Sequence, residues 1–177
     1  IHCDVLVIGG GISGIMAAKT AAENNFKTLL LDEKPHLGGS TIYQNSDFDK
    51  INNQSSSTWL ENEISKLKDI KNLEIKTRTS VAAYHGYNFL LARENLTDHL
   101  PFDKKKNKIR QRLIKIRAKK VIVATGSIER PLIFNNNDRP GIILSSAIKK
   151  YSDYYGVICG NENVFFTNND SAYETAI

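Results

Sequence analysis

Cys3-Asp-Val-Leu-Val-Ile-Gly-Gly-Gly-Ile-Ser-Gly14 is the stretch from which the rest of the chain can be read. Its apolar run to Ile8 has the length of a buried parallel strand, and Gly9-Gly10-Gly11 stops that strand in a tight turn. Ile12 to Asn25 follows without a breaker after Gly14, and Ile15, Met16, Ala18 and Ala22 recur at helical spacing. Thr28–Leu31 then supplies a second short apolar run. A strand, a helix and a strand within little more than thirty residues predict a parallel sheet with its faces covered.

Gly9, Gly11 and Gly14 fall at the spacing G-x-G-x-x-G, between a predicted strand and a predicted helix. In that position the first glycine permits the turn and the second lets backbone N–H groups approach a pyrophosphate at the helix N-terminus. The third allows helix and strand to pack closely. Ser13 adds a hydroxyl within the same turn. A bare glycine-rich turn would need no acid downstream, yet the second strand runs into Asp32-Glu33, with Glu33 nineteen positions after Gly14. An acid near that distance accepts from ribose hydroxyls. Two acids also repel a 2′-phosphate, which favours an adenosine with free hydroxyls, as in FAD or NAD. Lys34 flanks the same corner, as a contact or as a solvated lysine.

Further along, Thr41 to Ser57 is rich in Asn, Ser and Asp and reads as a long loop. Thr58-Trp-Leu-Glu61 has the form of a capping box, predicting a helix from Trp59 to Lys68 with Leu60, Ile64 and Leu67 on one stripe. Leu73–Val81 reads as a strand. Tyr87–Glu94 and Ile109–Arg117 read as strands of a small antiparallel excursion, and Val121–Ala124 as another buried parallel strand ending at Thr125-Gly126. Ser145 to Tyr155 is predicted helical, stopped by Gly156. The expected division is a dinucleotide-binding domain over 1–135 and, over 136–177, a connection with the start of a second domain.

The 177 residues carry a net charge of +5, and 41% are hydrophobic, which places the chain among globular proteins of about one domain. No apolar run reaches the length of a membrane-spanning helix. Basic residues concentrate between Lys104 and Lys120, where alternation with Ile114 and Ile116 suggests one solvated strand face. Base-stacking aromatics are absent from that stretch, so nucleic acid is not an expected partner. Cys3 and Cys159 lack metal or redox spacing and are expected as reduced thiols in the cytoplasm. His2, His36, His85 and His99 are scattered, with no triad or metal spacing. The first residue is not Met and already belongs to the strand motif, so the chain is read as cut from a longer one.

Glu33-Lys-Pro-His-Leu-Gly38-Gly39-Ser40 resembles the two-dinucleotide-domain flavoproteins, in which an acid is followed by Gly-Gly close to the pyrophosphate. Val121-Ile-Val-Ala-Thr125-Gly126 resembles the "ATG" segment of the same superfamily. The resemblance implies a three-layer α/β fold of the FAD/NAD(P)-binding (Rossmann-like) type with a small antiparallel insertion. It adds Gly39, Ser40, Thr125 and Gly126 to the cofactor site, and Val81, at the end of the third parallel strand, as a backbone contact to adenine. Ser40-Thr-Ile-Tyr43 stands where disulfide reductases carry redox cysteines, so dithiol chemistry is excluded. Val164-Phe-Phe-Thr-Asn-Asn-Asp-Ser-Ala172 stands where a second domain would place its strand and glycine loop, and it has no glycine.

That glycine-poor segment, with Ala118–Pro131 and Asn136–Gly141, resembles the alpha subunits of heterotetrameric sarcosine oxidases. The resemblance implies oxidative demethylation of sarcosine to glycine with tetrahydrofolate and oxygen, giving methylenetetrahydrofolate and peroxide. It implies beta, gamma and delta partners, with sarcosine, FAD and a covalent FMN on the beta subunit and folate at a later part of the alpha chain. NAD or FAD would occupy this chain, which would hold no catalytic residue. Two other readings stay open: an FAD-binding subunit of an amino-acid or opine dehydrogenase, and a non-catalytic assembly module stabilised by NAD.

Overall fold

The computed structural model describes residues 1–43 and 50–176. They form two compact units, one made of 1–41 and 58–126 and the other of the described residues within 42–57 and 127–177.

The first unit begins with β1 (His2–Ile8), α1 (Ile12–Glu23) and β2 (Thr28–Leu31). β1 pairs in parallel with β2, Val5 opposite Thr28 and Ile8 opposite Leu31. After a two-strand hairpin of β3 (Lys50–Ile51) and β4 (Gln54–Ser55), which belongs to the second unit, α2 (Ser56–Leu67) leads into β5 (Leu73–Lys76). β5 pairs in parallel with β2. The two crossovers step the same way across the sheet, and right-handed connections put both helices on one face. Val5 and Val7 alternate toward α1, whose Ile15, Ala18 and Ala22 are buried.

β6 (Thr79–His85), β7 (Phe89–Asn95), the short α3 (Phe102–Lys105) and β8 (Gln111–Val123) complete this unit. The sheet order is β5-β2-β1-β8-β7-β6. Leu6, Leu29 and Leu31 of the parallel strands share a core cluster with Leu90, Ala92, Ile114 and Ile116 of the antiparallel meander. Helices, parallel strands and meander thus give the three layers that the sequence predicted. At ~25 cal/mol per Å² of apolar area removed from water, side chains such as Leu6, Leu90 and Ile116, fully buried here, each contribute roughly 1.5–3 kcal/mol.

The structure corrects several boundaries. Ile109–Arg117 and Val121–Ala124 are not two strands; β8 runs unbroken, pairing with β7 from Gln111 to Arg117 and with β1 from Arg117 to Val123. Leu73–Val81 is not one strand: it breaks at Arg78, whose φ is +50°, so Val81 sits in antiparallel β6 opposite Ala92. The second helix starts at Ser56, leaving Thr58 inside it rather than at its cap. The expected loop Thr41–Ser57 contains the end of a 3-10 turn, Gly39–Tyr43, and the β3–β4 hairpin. Asn52 and Asn53 close that hairpin at φ +51° and +63°, the left-handed pair that Asn tolerates best after Gly. Residues 44–49 of the expected loop lie outside the described ones.

In the second unit α4 spans Ser145–Tyr155 and ends at Gly156, whose φ of +65° forms the left-handed stop, as the sequence predicted. Its N-terminus is closed from afar: Ser145 Oγ and Ser146 N–H donate to Glu129 at 3.1 and 2.8 Å. Tyr154 packs edge-on against Tyr43 and Tyr155, and the Lys150 ammonium lies over both of those rings. No strand forms over Val164–Ala172, where the resemblance placed one with its loop. Instead Asn169 caps a 3-10 turn, Asp170–Ala172, that enters α5 (Tyr173–Ala176).

Candidate functional site

The glycine turn sits where β1 and β8 end together. A Cβ on Gly9, whose φ is +103°, would meet the carbonyl of Ala124, and a Cβ on Gly14 would meet the carbonyl of Gly9. These two glycines are therefore fixed by packing. Gly11 differs, because its nearest neighbour for a Cβ is the Gly39 Cα at 3.9 Å. Gly11 is also the N-cap of α1, where no side chain caps the helix and its first turn holds no acid. The first N–H groups of α1 thus have no intrahelical or side-chain acceptor, and the helix dipole favours an anion there. Ser13, in that turn, is exposed.

The second glycine pair meets the first. Gly38 N–H donates to Gly10 C=O at 2.7 Å, and Leu37 is buried beneath it at 7% exposure. Gly38 and Gly39 both have positive φ, +128° and +60°. Gly39 lies over Gly11, with exposed Ser40 beside it. Thr125 and Gly126 follow Ala124, whose N–H donates to Ile8 C=O at 2.8 Å, so the "ATG" segment borders the same turn.

The sequence offered Asp32 and Glu33 together to the ribose, and the structure separates them. Asp32 is buried, with Oδ2 accepting from Gly10 N–H at 2.5 Å and Oδ1 from Lys34 N–H at 2.7 Å. Glu33 is exposed, and its carboxylate has no partner among the described residues. Lys34 is half-buried, and its carbonyl accepts from Arg78 N–H at 2.9 Å. Thr79 N–H donates to Asp32 C=O at 2.8 Å, which ties the start of β6 to this corner, while Val81, two residues on, packs against the core cluster and pairs with Ala92.

Gly10 and Leu37 were missed by the sequence reading. The signal for Gly10 was the third consecutive glycine, superfluous to the fingerprint; a Cβ there would meet Leu37 Cδ2 and Asp32 Oδ2. Among the described residues, no group of three or more His, Cys, Asp or Glu is placed to hold a metal, and no helix is long and apolar enough to cross a membrane.

A glycine turn, an uncapped helix and a free acid at the carboxyl ends of parallel strands define a dinucleotide-binding fold. The chain belongs to the FAD dependent oxidoreductase family, whose sequence pattern matches residues 4–127. Over 98% of its length it is 38% identical to sarcosine oxidase subunit alpha of Corynebacterium sp. (strain P-1). Over 99% it is 34% identical to the subunit of that name from Rhizobium meliloti (strain 1021). It spans only 18% and 17% of those relatives. Among solved structures, L-proline dehydrogenase from P. horikoshii aligns over 90% of this chain and 30% of its own, with a TM-score of 0.69 and 27% identity. Thioredoxin reductase from Streptococcus pyogenes MGAS5005 covers 74% of this chain and 37% of its own at TM-score 0.52 and 22% identity, sharing the fold. Ser40–Tyr43 of this chain holds no cysteine.

Proposed function

We infer that this chain is the dinucleotide-holding part of the alpha subunit of a sarcosine oxidase-type enzyme, cytoplasmic and assembled with beta, gamma and delta subunits. The carrying observation is an exposed Glu33, next in the chain to an Asp32 bonded to the glycine turn, together with an uncapped α1 whose Gly11 has room above it. The residues fit an ADP moiety. The N–H groups from Gly11 to Gly14, with Ser13, take the pyrophosphate, and Gly39 and Ser40 close over it. Glu33 takes the ribose, while Lys34 and the Val81 backbone border the adenine side, and Thr125-Gly126 borders the far half.

A bound flavin dinucleotide would supply electron-accepting chemistry here, whereas a bound NAD would serve the fold. The protein's part is to bind and orient the dinucleotide, since among the described residues no nucleophile paired with a base lines the turn. In this reading sarcosine, FAD and FMN belong to the beta subunit and folate to a later part of the alpha chain. The alignment of nearly all of this chain with two sarcosine oxidase alpha subunits supports reading it as part of such a subunit.

The likeness to L-proline dehydrogenase favours a second reading, in which this site holds FAD and serves an amino-acid dehydrogenase. Denaturing the purified full-length protein and identifying the released molecule by mass spectrometry and absorption separates the two. NAD without flavin is the expected result and fits a mainly structural cofactor role; stoichiometric FAD selects the second reading. Release of no dinucleotide overturns both. Glu33→Ala tests the site directly: with a charged hydrogen bond to the ribose removed, affinity falls about tenfold or more, while melting without ligand is unchanged.

A further inference from the structure

We propose that Asp32 is a positioning residue that sets the pyrophosphate loop, the ribose acid and the adenine strand at fixed separations, and is not itself a ribose ligand. This rests on the dinucleotide reading above and goes beyond it by dividing the two neighbouring acids between two jobs.

Asp32 makes four hydrogen bonds to four segments. Its carboxylate accepts from Gly10 in the glycine turn and from Lys34 beyond Glu33. Its own N–H donates to Lys76 C=O at the end of β5 at 3.0 Å, and its C=O accepts from Thr79 N–H at the start of β6. A buried carboxylate is costly unless each oxygen is hydrogen-bonded, and here both are. Each oxygen takes one backbone N–H, at 2.5 Å from Gly10 and 2.7 Å from Lys34.

Two consequences follow for the ligand. Gly10 N–H is committed to Asp32, so the anion must be met by donors from Gly11 onward. Glu33 is flanked by two residues that are both tied down, Asp32 through its side chain and backbone and Lys34 through its N–H and C=O. The exposed acid is thereby held at a set distance from the glycine turn. A ligand that touches both ends gains from this fixed spacing, because the second contact forms without a further search. A ligand that touches one end gains little.

The test compares Asp32→Asn with Glu33→Gln in the full-length protein, measuring affinity for adenosine, ADP and the intact dinucleotide after the native ligand is removed. An amide at position 32 turns one acceptor into an NH2 group facing a backbone N–H. Asp32→Asn is expected to weaken ADP and dinucleotide about tenfold or more, the loss of a charged hydrogen bond, while adenosine changes less than about threefold. Glu33→Gln is expected to weaken all three together, since it acts on the ribose. If Asp32→Asn weakens adenosine as much as ADP, Asp32 contacts the ribose and the proposal fails. It fails equally if no affinity changes. Should Asp32→Asn reduce folding, the affinities are taken well below its melting temperature, where a purely structural role leaves the ADP-to-adenosine ratio at the wild-type value and overturns the proposal. Wild-type protein that binds neither ADP nor dinucleotide refutes the underlying reading instead.

Discussion

Lys19 Nζ on α1 and Glu63 Oε2 on α2 lie 2.6 Å apart, although 44 positions separate them in the chain. Lys66, one turn along α2, reaches the other oxygen of Glu63 at 2.6 Å. The Glu63 side chain is 8% exposed and Lys19 17%, so this pair is screened little by solvent. It fixes the two crossover helices to each other on one face of the sheet.

Glu63→Gln should therefore destabilise the protein by about 1.5–3 kcal/mol, the range for hydrogen bonds to charged groups, read as a lower urea midpoint with unchanged slope. Hydrogen bonds from Lys19 and then Lys66 hold the Glu63 carboxyl below the usual glutamate range. A depressed folded pKa means the stabilisation is complete above the ordinary glutamate pKa and fades as pH falls through the lower folded value. The wild-type advantage over Glu63→Gln should shrink on acidification and persist through neutral and alkaline pH.

Gly11 and Gly14 should respond oppositely to alanine. At Gly14 the methyl meets the Gly9 carbonyl, and the forced shift of helix against strand should cost about 1–3 kcal/mol, as overpacking does. At Gly11 the backbone has φ −71°, open to any residue, and only the Gly39 Cα is near. Gly11→Ala should melt within about 0.5 kcal/mol of wild type yet bind dinucleotide less tightly. Thermal scans with and without ligand distinguish these outcomes.

Glu129 closes α4 by accepting from Ser146 and Ser145. Burial pushes its carboxyl upward, but the bonds from Ser146 and Ser145 outweigh this and leave it below the usual range. Glu129→Ala removes a cap and should cost about 1 kcal/mol. Faster amide exchange at Ser146 and Ala147 would report it, and acidification of the wild type should loosen the same turn.

The glycine fingerprint, the acid after β2 and the three-layer arrangement were legible because each is local: a turn, a spacing or a run of apolar residues. Asp32 and Glu33 could not be separated that way. Adjacent residues on an extended chain point to opposite sides, and only the packing of Gly10 and Lys34 around one of them decides which is spent. Arg78 gave no sign of its turn, because Thr77, Arg78 and Thr79 include no Gly, Pro or Asn. β8 was split in the reading because Lys119 and Lys120 interrupt the apolar alternation. Periodicity reports burial, whereas strand continuity depends on backbone pairing, which those lysines keep. Glu129 lay beyond any local rule, sixteen positions from the serine it holds.

The unbroken course of β8 couples parts of the molecule that would otherwise be independent. Its thirteen residues, at ~3.3 Å each, form a strip with a contour of about 40 Å. One end lies in the meander beside Asn95, and the other runs into Ala124, against which Gly9 is wedged. The meander and the floor of the glycine turn are therefore two stretches of one continuous backbone. The outer layer is thus anchored at the glycine turn as well as being a cover for the sheet.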